Sequence, residues 1–465
     1  MATAGSGSIA RLQDVWYDEI SVWLILDESR VDKMISAFRF KTFKSFVDAK
    51  MPVEALTILI GANASGKSNA VDGMEILSGL VTNREIGDIL DGVRGYETGA
   101  RGKGTGIRGG SRGAPRYNNS SFQLGCTFDC DSYYLDYEVR IRVKPHIWLE
   151  NESLYKRTSN TDSRGDLVYK TEPADENSGN VYVTYNNRRR GRNPQVICLR
   201  NYSVLSQIPG RFPSDTPAEK DLRDMFEVIS GILRNILILN PVPQLMRDYV
   251  HSSKVKILPT GENLSAVVAE LISSQDVKRT ILTYLQDYPE EQITDIHAIN
   301  TPTGDVMLTF TEEIGKGSRP IDIRGMSDGT LRFLTILTAL VGEKAGSTVI
   351  IEEVDNGLHP SRANKLVVAL RELGKKRNLD LIVTTHNPAI LNALSADDIP
   401  GVVVCYRDAA DGSSRFVSWV DLPDYPELMA RGGIGDIISQ GFIAPEPAFH
   451  RKKQMLEWAK RRLDR

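Results

Sequence analysis

The chain of 465 residues contains 41% hydrophobic and 25% charged residues, a composition that is typical of a folded globular protein with two or three domains and excludes a disordered or fibrous one. Its 57 basic and 60 acidic residues give a net charge of -3, so any surface that binds nucleic acid must be local. Four cysteines without zinc-site spacing, and no apolar run near the roughly 18 residues of a membrane span, predict a cytoplasmic protein with no structural metal and no membrane partner.

Residues 1–33 precede the first clear pattern of secondary structure. They lack the basic start and the small-residue cleavage site of a signal peptide, and a strand pattern begins only after Met34. We therefore predict an N-terminal extension over 1–33 and Met34 as the native start.

The next segment predicts two strands, a glycine-containing loop and a helix. Apolar and polar residues alternate over Ile35 to Val47, and Ala55 to Ile60 is a short apolar run, so both segments predict strands. From Ser68 onwards apolar residues recur at helical spacing, which predicts an amphipathic helix. The segment between the second strand and this helix, GANASGKS over 61–68, fits the phosphate-binding pattern in the structural context that the pattern requires.

This loop predicts nucleotide binding. Its glycines let backbone N–H groups approach phosphate oxygens, Lys67 neutralises the β- and γ-phosphates, and the Ser68 hydroxyl is a ligand for Mg²⁺. A coincidental glycine-rich turn is the alternative, and the flanking strand and helix disfavour it. The predicted nucleotide ligands of this segment are Gly61, Asn63, Ser65, Gly66, Lys67, Ser68 and Asn69.

Two clusters of basic residues follow. Residues 92–116 are rich in glycine and hold six basic residues against one acid, Glu97, which predicts a mobile basic loop. Residues 120–205 contain alternating stretches that predict an antiparallel sheet lobe, interrupted by the second cluster, Arg188 to Arg192. Such clusters either contact nucleic-acid phosphates or lie in solvent, and the sequence leaves both possibilities open. The basic residues of the first cluster are Arg94, Arg101, Lys103, Arg108, Arg112 and Arg116.

Residues 206–300 predict a helical insertion. The segment Thr216 to Glu219 combines a capping box with proline at the first helical position, and an apolar stripe runs from there to Leu239. A second helix is predicted over Leu264 to Ser273. Prolines scattered through the region exclude the long unbroken helices of a coiled coil.

From Met326 helical and strand patterns alternate, which predicts parallel βαβ units. A basic tail that looks helical is predicted over 446–465. The predicted elements between them are a helix over Gly329 to Val341, a strand over Thr348 to Ile351, a helix over Pro360 to Gly374, a strand over Asp380 to Thr384, and edge strands over Gly401 to Tyr406 and Arg415 to Val420.

Three polar groups in this part are candidates for chemistry. Glu352 and Glu353 follow the first buried strand, where Glu352 would hold Mg²⁺ through water and Glu353 would orient or deprotonate the attacking water. The turn Ser327-Asp328-Gly329 precedes a helix whose first N–H groups point at an anion, and His386 follows the next strand, where it would contact a γ-phosphate. A pair of solvated acids, a plain helix cap and a structural histidine are the alternatives for each group taken alone.

The order of these elements decides between the alternatives. The phosphate loop, the SDG turn, the Glu-Glu strand end and the strand-terminal histidine together resemble the ABC-type ATPase heads of the SMC/RecF/OLD-like branch of AAA-type ATPases. The motifs that carry the resemblance are FKTFKSF, GANASGKSN, MSDGTLRFL, IEEVDNGLHPSR and TTHNPAILN, and it covers nearly the whole chain after Met34. It implies an α/β fold: a P-loop NTPase of ABC-head type with an antiparallel β lobe and an inserted helical region. The head would comprise 34–205 and 301–445.

The resemblance further implies a dimer that closes around ATP and Mg²⁺. Ser327 and Gly329 of one subunit would contact the γ-phosphate that Lys67 of the other binds, and Glu353, His386 and Lys67 would be catalytic. Two departures from many ABC proteins, Glu352 in place of aspartate and Asp328 in place of a glycine, look normal for this branch. The remaining implied positions are Asp355, Asn356 and His359 at the subunit contact, Lys44 and Ser45 near the phosphates, and Gln123 or Gln207 as the glutamine that links Mg²⁺ to the lobe.

Members of this branch act on DNA or regulate a nuclease, often in DNA repair or defence against phage. Only 79 residues follow His386, too few for the Toprim nuclease domain of OLD proteins, so we expect a separately encoded effector such as a nuclease. A soluble ABC ATPase that acts on a protein or ribosomal partner is the second hypothesis. The motor of a transporter is the third and weakest, because 260 positions separate Lys67 from Ser327.

Overall fold

The computed structural model describes residues 33–92, 106–159, 165–252, 256–286, 292–315, 317–357, 359–422 and 432–439, together with Tyr425 and Met429. Three predictions therefore lie outside the described residues: the N-terminal extension up to residue 32, the basic tail, and Arg94, Arg101 and Lys103 of the first basic cluster. None of the described helices is both long and apolar enough to cross a lipid bilayer.

A six-stranded sheet forms the middle layer of residues 33–465. Its strands are β3 (Leu56–Ile60), β10 (Ile236–Leu239), β15 (Thr348–Ile351), β16 (Asp380–Thr385), β17 (Val402–Arg407) and β18 (Ser414–Ser418). They are arranged in the order β10-β15-β16-β3-β17-β18, and all neighbours are parallel except β17 and β18. Both faces of the sheet are covered, which is why β3, β10 and β15 are almost continuous apolar runs. Alternate residues enter two different cores, as with Leu59 in one and Ile58 and Ile60 in the other.

An eight-stranded antiparallel sheet covers one face, as the sequence predicted for the lobe. Its strands are β1 (Lys33–Phe43), β2 (Phe46–Pro52), β4 (Ser121–Cys130), β5 (Tyr134–Arg142), β6 (Trp148–Arg157), β7 (Asp166–Thr171), β8 (Asn180–Tyr185) and β9 (Gln195–Leu199). They are arranged in the order β2-β1-β4-β5-β6-β7-β8-β9. The single strand predicted over Ile35 to Val47 is wrong, because the chain turns at Lys44 and Ser45 and returns as β2. The alternation conceals this turn, since Phe43 and Phe46 pair across it and both are fully buried.

Eleven helices are bounded by residues that the structure describes. They are α1 (Lys67–Gly79), α2 (Ile86–Asp91), α3 (Gly110–Gly113), α4 (Val204–Arg211), α5 (Pro217–Arg234), α6 (Leu264–Leu271), α7 (Gln275–Gln286), α8 (Asp328–Gly342), α9 (Ala363–Arg377), α10 (Pro388–Asn392) and α11 (Ile434–Ser439). Short 3₁₀ turns precede or follow several of them, including Pro360–Arg362 before α9. Helix α8 is apolar around most of its circumference because core packing surrounds it.

The region predicted as a helical insertion, 206–300, also contains strands. Helix α5 has the predicted capping box of Thr216 and Glu219, but it ends at Arg234 rather than Leu239. The isoleucine-rich residues that follow become β10 and pair with β15, because a β-branched run fits a buried strand better than a helix. A third, smaller sheet begins in the same region and consists of β11 (Val250–His251), β12 (Gln292–Asn300), β13 (Asp305–Ile314) and β14 (Gly317–Asp322).

The parallel βαβ order predicted after Met326 is present. The two strands predicted over Thr348 to Ile351 and Asp380 to Thr384 are β15 and β16, which pair in parallel. Two edge strands were predicted after β16, and the predicted edge position of the first, β17, is wrong. It lies inside the sheet, bonded to β3 and β18, because its residues Val402 to Cys405 are buried.

Asp380 starts β16 at the edge where the parallel strands begin, and burial raises the pKa of its carboxyl to about 7. Between about pH 4 and that pKa, the unfolded chain therefore binds fewer protons than the folded protein. The free energy of unfolding consequently falls as the pH rises through this window. At higher pH the whole loss of stability from the buried Asp380 carboxylate remains.

We expect Asp380→Asn to be more stable than the wild type above pH 7, by on the order of 1 kcal/mol or more, because the amide avoids burial of a charge. The gain should shrink steadily toward pH 4. Urea unfolding at several pH values measures the difference. The control is Asp224→Asn, which replaces an exposed carboxylate on α5. A gain of equal size at every pH would contradict the role of this carboxyl.

Candidate functional site

The carboxyl ends of three parallel strands meet at one edge of the six-stranded sheet. Ile60 of β3 lies beside Thr385 of β16, and Val383 of β16 lies beside Ile351 of β15. The residues that follow these strand ends are the phosphate loop, His386 and the acidic pair. Strand β16 lies between the other two, so His386 follows the strand between the loop and the acids.

The phosphate loop has a backbone that depends on its glycines. Gly61 has a φ of +150° and Gly66 a φ of +122°, and Ala64 between them has +62°. A Cβ at Gly61 would lie 2.1 Å from the carbonyl oxygen of Cys405, and one at Gly66 would lie 2.4 Å from Ser414 Oγ. The loop therefore packs tightly on β17 and β18. It leads into the N-terminus of α1, where no side chain caps the first N–H groups and an anion can bind.

Lys67 lies where the loop enters α1, and its ammonium group folds back over the loop. Its Nζ donates to the carbonyl oxygens of Gly61 at 2.6 Å and Ala62 at 3.2 Å. Burial lowers the pKa of Lys67, and the nearby carboxylates of Glu353 and Asp355 partly oppose this shift. Lys67 of the loop is therefore close enough to Glu353 and Asp355 for their charges to act on it.

Adjacent residues of the acidic pair have different surroundings. Glu352 is 5% exposed and continues the pairing of β15, whereas Glu353 is exposed. Glu353 has a φ of +48°, and its backbone N–H donates to Thr384 Oγ1 at 2.8 Å. A positive φ at a residue other than glycine is strained and is held here by contacts of the chain around it. The turn allows one carboxylate to point inward and its neighbour to face solvent.

Arg108 of the predicted mobile basic loop is part of this site. Its guanidinium donates through Nε to Asp72 Oδ1 at 3.0 Å and through Nη2 to Glu352 Oε1 at 2.9 Å, and Nη2 also donates to the carbonyl oxygen of Ser68. Burial opposes the charged form, but the carboxylates of Glu352 and Asp72 outweigh it and raise the pKa of Arg108. The side chain of Arg108 is 42% exposed, whereas Arg116 is buried and donates to the carbonyl oxygen of Ser45 at 2.7 Å. Among the described residues 106–116, two of the three arginines of the predicted basic loop are therefore held by protein partners, and Arg112 is exposed.

The turn between β1 and β2 binds the helix that follows the phosphate loop. Lys44 Nζ lies 2.5 Å from Oδ2 of Asp72, which is fully buried on α1. Ser45 Oγ accepts a hydrogen bond from Asn69 Nδ2 at 2.8 Å and one from Ser414 Oγ at 2.7 Å. Lys44, Ser45 and Asn69 thus lie beside the loop, and their polar groups are engaged by protein partners.

The segment after the acidic pair returns toward β16. Asp355 is buried, and its Oδ1 accepts a hydrogen bond from Thr385 Oγ1 at 2.6 Å. Asn356 is exposed, with Nδ2 3.4 Å from Glu353 Oε2. His359 and His386 are both exposed, and His359 Nδ1 lies 2.8 Å from Ser361 Oγ. Asn356, His359 and His386 thus come after strands that end at the same sheet edge as the strand before the phosphate loop.

The Ser327-Asp328-Gly329 turn starts α8 and is fixed by a contact that the sequence did not reveal. Ser327 Oγ caps the helix by accepting from the Thr330 backbone N–H at 3.2 Å. Arg247 donates to Asp328 Oδ1 and to the carbonyl oxygen of Met326, the latter at 2.8 Å. A Cβ at Gly329 would lie 2.8 Å from the carbonyl oxygen of Gly357, so the turn packs on the loop after the acidic pair.

The two glutamine candidates lie in other contacts. Gln207 pairs with the backbone of Leu199, with Oε1 2.9 Å from its N–H and Nε2 3.0 Å from its carbonyl oxygen. Gln123 bonds to Glu138 and Arg140 on the antiparallel sheet. These partners belong to the lobe and not to the sheet edge that carries the acids.

Sequence reasoning missed Asp72, Arg108, Arg247 and Ser414. Asp72 had a signal, because a charged residue stands among the apolar positions that α1 buries. Composition placed Arg108 in a mobile basic loop that either contacts nucleic acid or lies in solvent, and its partners Asp72 and Glu352 are 36 and 244 positions away. Arg247 and Ser414 belong to no motif, so only the fold reveals their contacts.

Residues 56–392, which include the phosphate loop, the acidic pair, the turn before α8 and His386, match the family described as "AAA domain, putative AbiEii toxin, Type IV TA system". No curated protein matches the chain.

Solved structures that resemble the chain include three SMC heads. The first is an SMC head bound to the C-winged helix domain of ScpA, with 15% identity, coverage of 85% of this chain and 99% of that chain, and a TM-score of 0.46. The second is the SMC head domain from Thermotoga maritima, with 13% identity, coverage of 83% and 98%, and a TM-score of 0.39. The third is an SMC head with an extended coiled coil bound to the C-terminal domain of ScpA derived from Pyrococcus furiosus, with 12% identity, coverage of 86% and 100%, and a TM-score of 0.43.

Gly66→Ala tests whether the loop requires glycine. We expect the free energy of unfolding to fall by about 1–3 kcal/mol, because a Cβ at a φ of +122° is strained and would meet Ser414. Chemical unfolding followed by circular dichroism measures the loss. The matched control is Gly231→Ala inside α5, where an added Cβ meets no atom within 4 Å and helix propensity favours alanine by roughly 0.5–1 kcal/mol. Equal stability of both variants would show that the loop tolerates a side chain.

Proposed function

The chain belongs to the AbiEii-type AAA domain family, and we propose that it binds and hydrolyses ATP with Mg²⁺ between two copies of itself. The observation that supports this proposal is that the phosphate loop with Lys67 and the acidic pair with Glu353 follow parallel strands whose carboxyl ends meet at one sheet edge. A cation beside a phosphate loop and a carboxylate across from it are the parts that phosphoryl transfer to water requires. The family and the geometry thus favour the same chemistry.

The phosphate loop would receive the β- and γ-phosphates. The backbone N–H groups of the loop and the N-terminus of α1 supply donors, assisted by the helix dipole. Lys67 Nζ donates to two loop carbonyls, at Gly61 and Ala62, and would exchange these neutral acceptors for phosphate oxygens. Gly61, Asn63, Ser65 and Gly66 would shape this cradle, with Ser68 and Asn69 following on α1.

Ser68 and Glu352 would hold Mg²⁺, with Glu352 acting through water. The donor set suits the ion, since a hydroxyl, a carboxylate and phosphate oxygens are hard ligands. In this structure the carboxylate of Glu352 is paired with the guanidinium of Arg108. When bound, Mg²⁺ would neutralise charge on the β- and γ-phosphates.

Glu353 would orient and deprotonate the attacking water. It is exposed at the sheet edge and is held in position by the backbone bond to Thr384. His386 is exposed at the end of the neighbouring strand, from which its imidazole would donate to the γ-phosphate. The strained φ of Glu353 supports this role, because strain of this kind clusters at functional positions.

A second copy would complete the site through its Ser327-Asp328-Gly329 turn. The N-terminus of α8 presents N–H groups to an anion, and the contacts of Arg247 with Asp328 and Met326 hold the turn in one geometry. Asn356 and His359 are exposed beside the acidic pair and would lie in the same interface. ATP would thus join two surfaces that are each only half of a site.

Glu353→Gln tests catalysis and dimerisation together. We expect steady-state ATP hydrolysis to fall by roughly 10²–10⁴-fold, because the water loses its base. ATP binding should persist, and an ATP-dependent dimer or larger assembly should accumulate, measured by light scattering after gel filtration. Glu353→Gln with Ser327→Arg is the matched control, which should bind ATP and stay monomeric. Wild-type hydrolysis by Glu353→Gln would rule out this assignment of the base.

We further propose that ATP-driven closure regulates a separately encoded effector that acts on DNA, such as a nuclease, in DNA repair or anti-phage defence. The support is a local surface at the β8–β9 hairpin. Arg188, Arg189, Arg190 and Arg192 are exposed there, on the connection between the two strands. Arginines and an aromatic ring are the groups that contact nucleic-acid backbone and bases. Beside them Tyr182 and Ile197 pair across the strands and are 53% and 47% exposed.

The contacts of two arginines in the first basic cluster favour the second cluster. Arg108 is paired with two carboxylates and Arg116 is buried, whereas Arg112 is exposed, so among the described residues the β8–β9 connection has the larger group of exposed arginines. A cytoplasmic site of action is also part of the proposal. It is supported by the four cysteines, all of which are described, buried and free of disulfides.

Alanine at Arg188, Arg189, Arg190 and Arg192 tests the DNA surface. We expect weaker binding of duplex DNA, and a slope of log affinity against log salt that is shallower by up to about 0.9 for each phosphate that the variant no longer neutralises. Fluorescence anisotropy across a salt series measures both. The control replaces an equal number of exposed basic residues elsewhere, Lys220, Arg279, Lys375 and Lys376, and so matches the change in net charge.

Two outcomes of that experiment would argue against a DNA-binding surface at the β8–β9 hairpin. Equally weakened binding by both quadruple variants would mean that net charge, and not the hairpin, governs the affinity for DNA. Failure of the wild type to bind DNA in any nucleotide state would favour a soluble ATPase that acts on a protein or ribosomal partner.

A further inference from the structure

Four charged groups form one cluster beneath the acidic end of β15. Asp72 is fully buried between Lys44 Nζ at 2.5 Å and Arg108 Nε at 3.0 Å. Arg108 Nη2 reaches on to Glu352 Oε1 at 2.9 Å. Among the described residues these two cations and two carboxylates balance, which offsets the cost of burying Asp72 and Glu352.

The outer part of this cluster coincides with the expected metal site. Arg108 Nη2 contacts the carboxylate of Glu352 and the carbonyl oxygen of Ser68, the residue whose hydroxyl would hold Mg²⁺. A divalent cation and a guanidinium repel each other, and a water on Mg²⁺ would donate to the same carboxylate that Arg108 Nη2 bonds. Binding of Glu352 to the guanidinium therefore weakens its binding to the hydrated metal, and the reverse.

We propose that Arg108 competes with Mg²⁺ for Glu352, so that loading of the metal requires Arg108 Nη2 to leave this carboxylate. The inference rests on the proposed nucleotide site. Arg108 is a positioning residue in this exchange: it holds Glu352 in place and is displaced by the ion.

Asp72 makes the exchange local. The hydrogen bonds from Arg108 Nε to Asp72 do not involve Glu352. Arg108 Nη2 can therefore release Glu352 while Nε stays bonded to Asp72 on α1. The released Nη2 would then lie beside the phosphates, whose negative charge compensates the additional cation. Metal loading should consequently depend on nucleotide, because Mg²⁺ alone would bring two positive charges into a cluster that is already balanced.

The test is a Mg²⁺ titration of nucleotide affinity. N-methylanthraniloyl-ATP binding to the full chain carrying Glu353→Gln is measured by fluorescence anisotropy, from EDTA to millimolar Mg²⁺. We expect Arg108→Ala to lower the Mg²⁺ concentration at half-maximal effect by about tenfold, because a charge-assisted hydrogen bond no longer competes. Arg108→Lys, which keeps the charge, should shift it less.

Arg112→Ala is the matched control, since Arg112 is an exposed arginine four residues along the same segment. Arg108→Gln is a second uncharged variant, which keeps hydrogen-bonding capacity in case the alanine variant folds poorly, and thermal unfolding checks each protein. An unchanged Mg²⁺ midpoint in both uncharged variants would overturn the proposal. So would an equal decrease in affinity with and without Mg²⁺, which would make Arg108 a phosphate ligand. Failure of the wild-type chain to bind the probe under any condition would instead overturn the nucleotide site itself.

Discussion

The parallel pairing of β3, β16 and β15 is the constraint on which the candidate site depends. Parallel strands end at the same edge, so three segments that are far apart in sequence deliver the phosphate loop, His386 and the acidic pair to one place. Burial of both faces of the sheet holds this register, because a shift by one residue would exchange the side chains that face the two cores. The chemistry at the edge thus depends on packing inside the sheet.

Much of this arrangement could be predicted from the sequence, because its signals are local. The phosphate loop carries its own strand and helix, and the acids end an apolar run, so period and composition are sufficient to identify both. The errors have a common cause, which is competition from distant partners. Residues 236–239 form a strand because β15 is available to pair with them. Arg108 and Arg116 are held by acceptors from other segments of the chain. Composition cannot distinguish such arginines from solvated ones.

The two basic clusters show how the same residue type takes different roles. Around Asp72 and Glu352, Lys44 and Arg108 are paired with carboxylates at 2.5–3.0 Å. On the β8–β9 connection the arginines remain exposed, where solvent screens their mutual repulsion. Only the exposed group contributes to the long-range field that a charged partner would encounter. A description by net charge, which is -3 for the chain, hides both arrangements.

The packing of the phosphate loop also has a consequence for protein synthesis. Strand β3 pairs on one side with β16 and on the other with β17, and the loop after it is supported by Cys405 and Ser414, which lie 340 and 349 residues after Ser65 in the chain. At a translation rate of roughly 5–20 residues per second, the loop would emerge from the ribosome about 20–70 s before its supports. A nascent chain would therefore carry the whole nucleotide-binding sequence without its geometry, and nucleotide could not act as an early folding ligand. Competence for ATP would instead arise only after Ser414 has emerged, when the middle of the sheet closes.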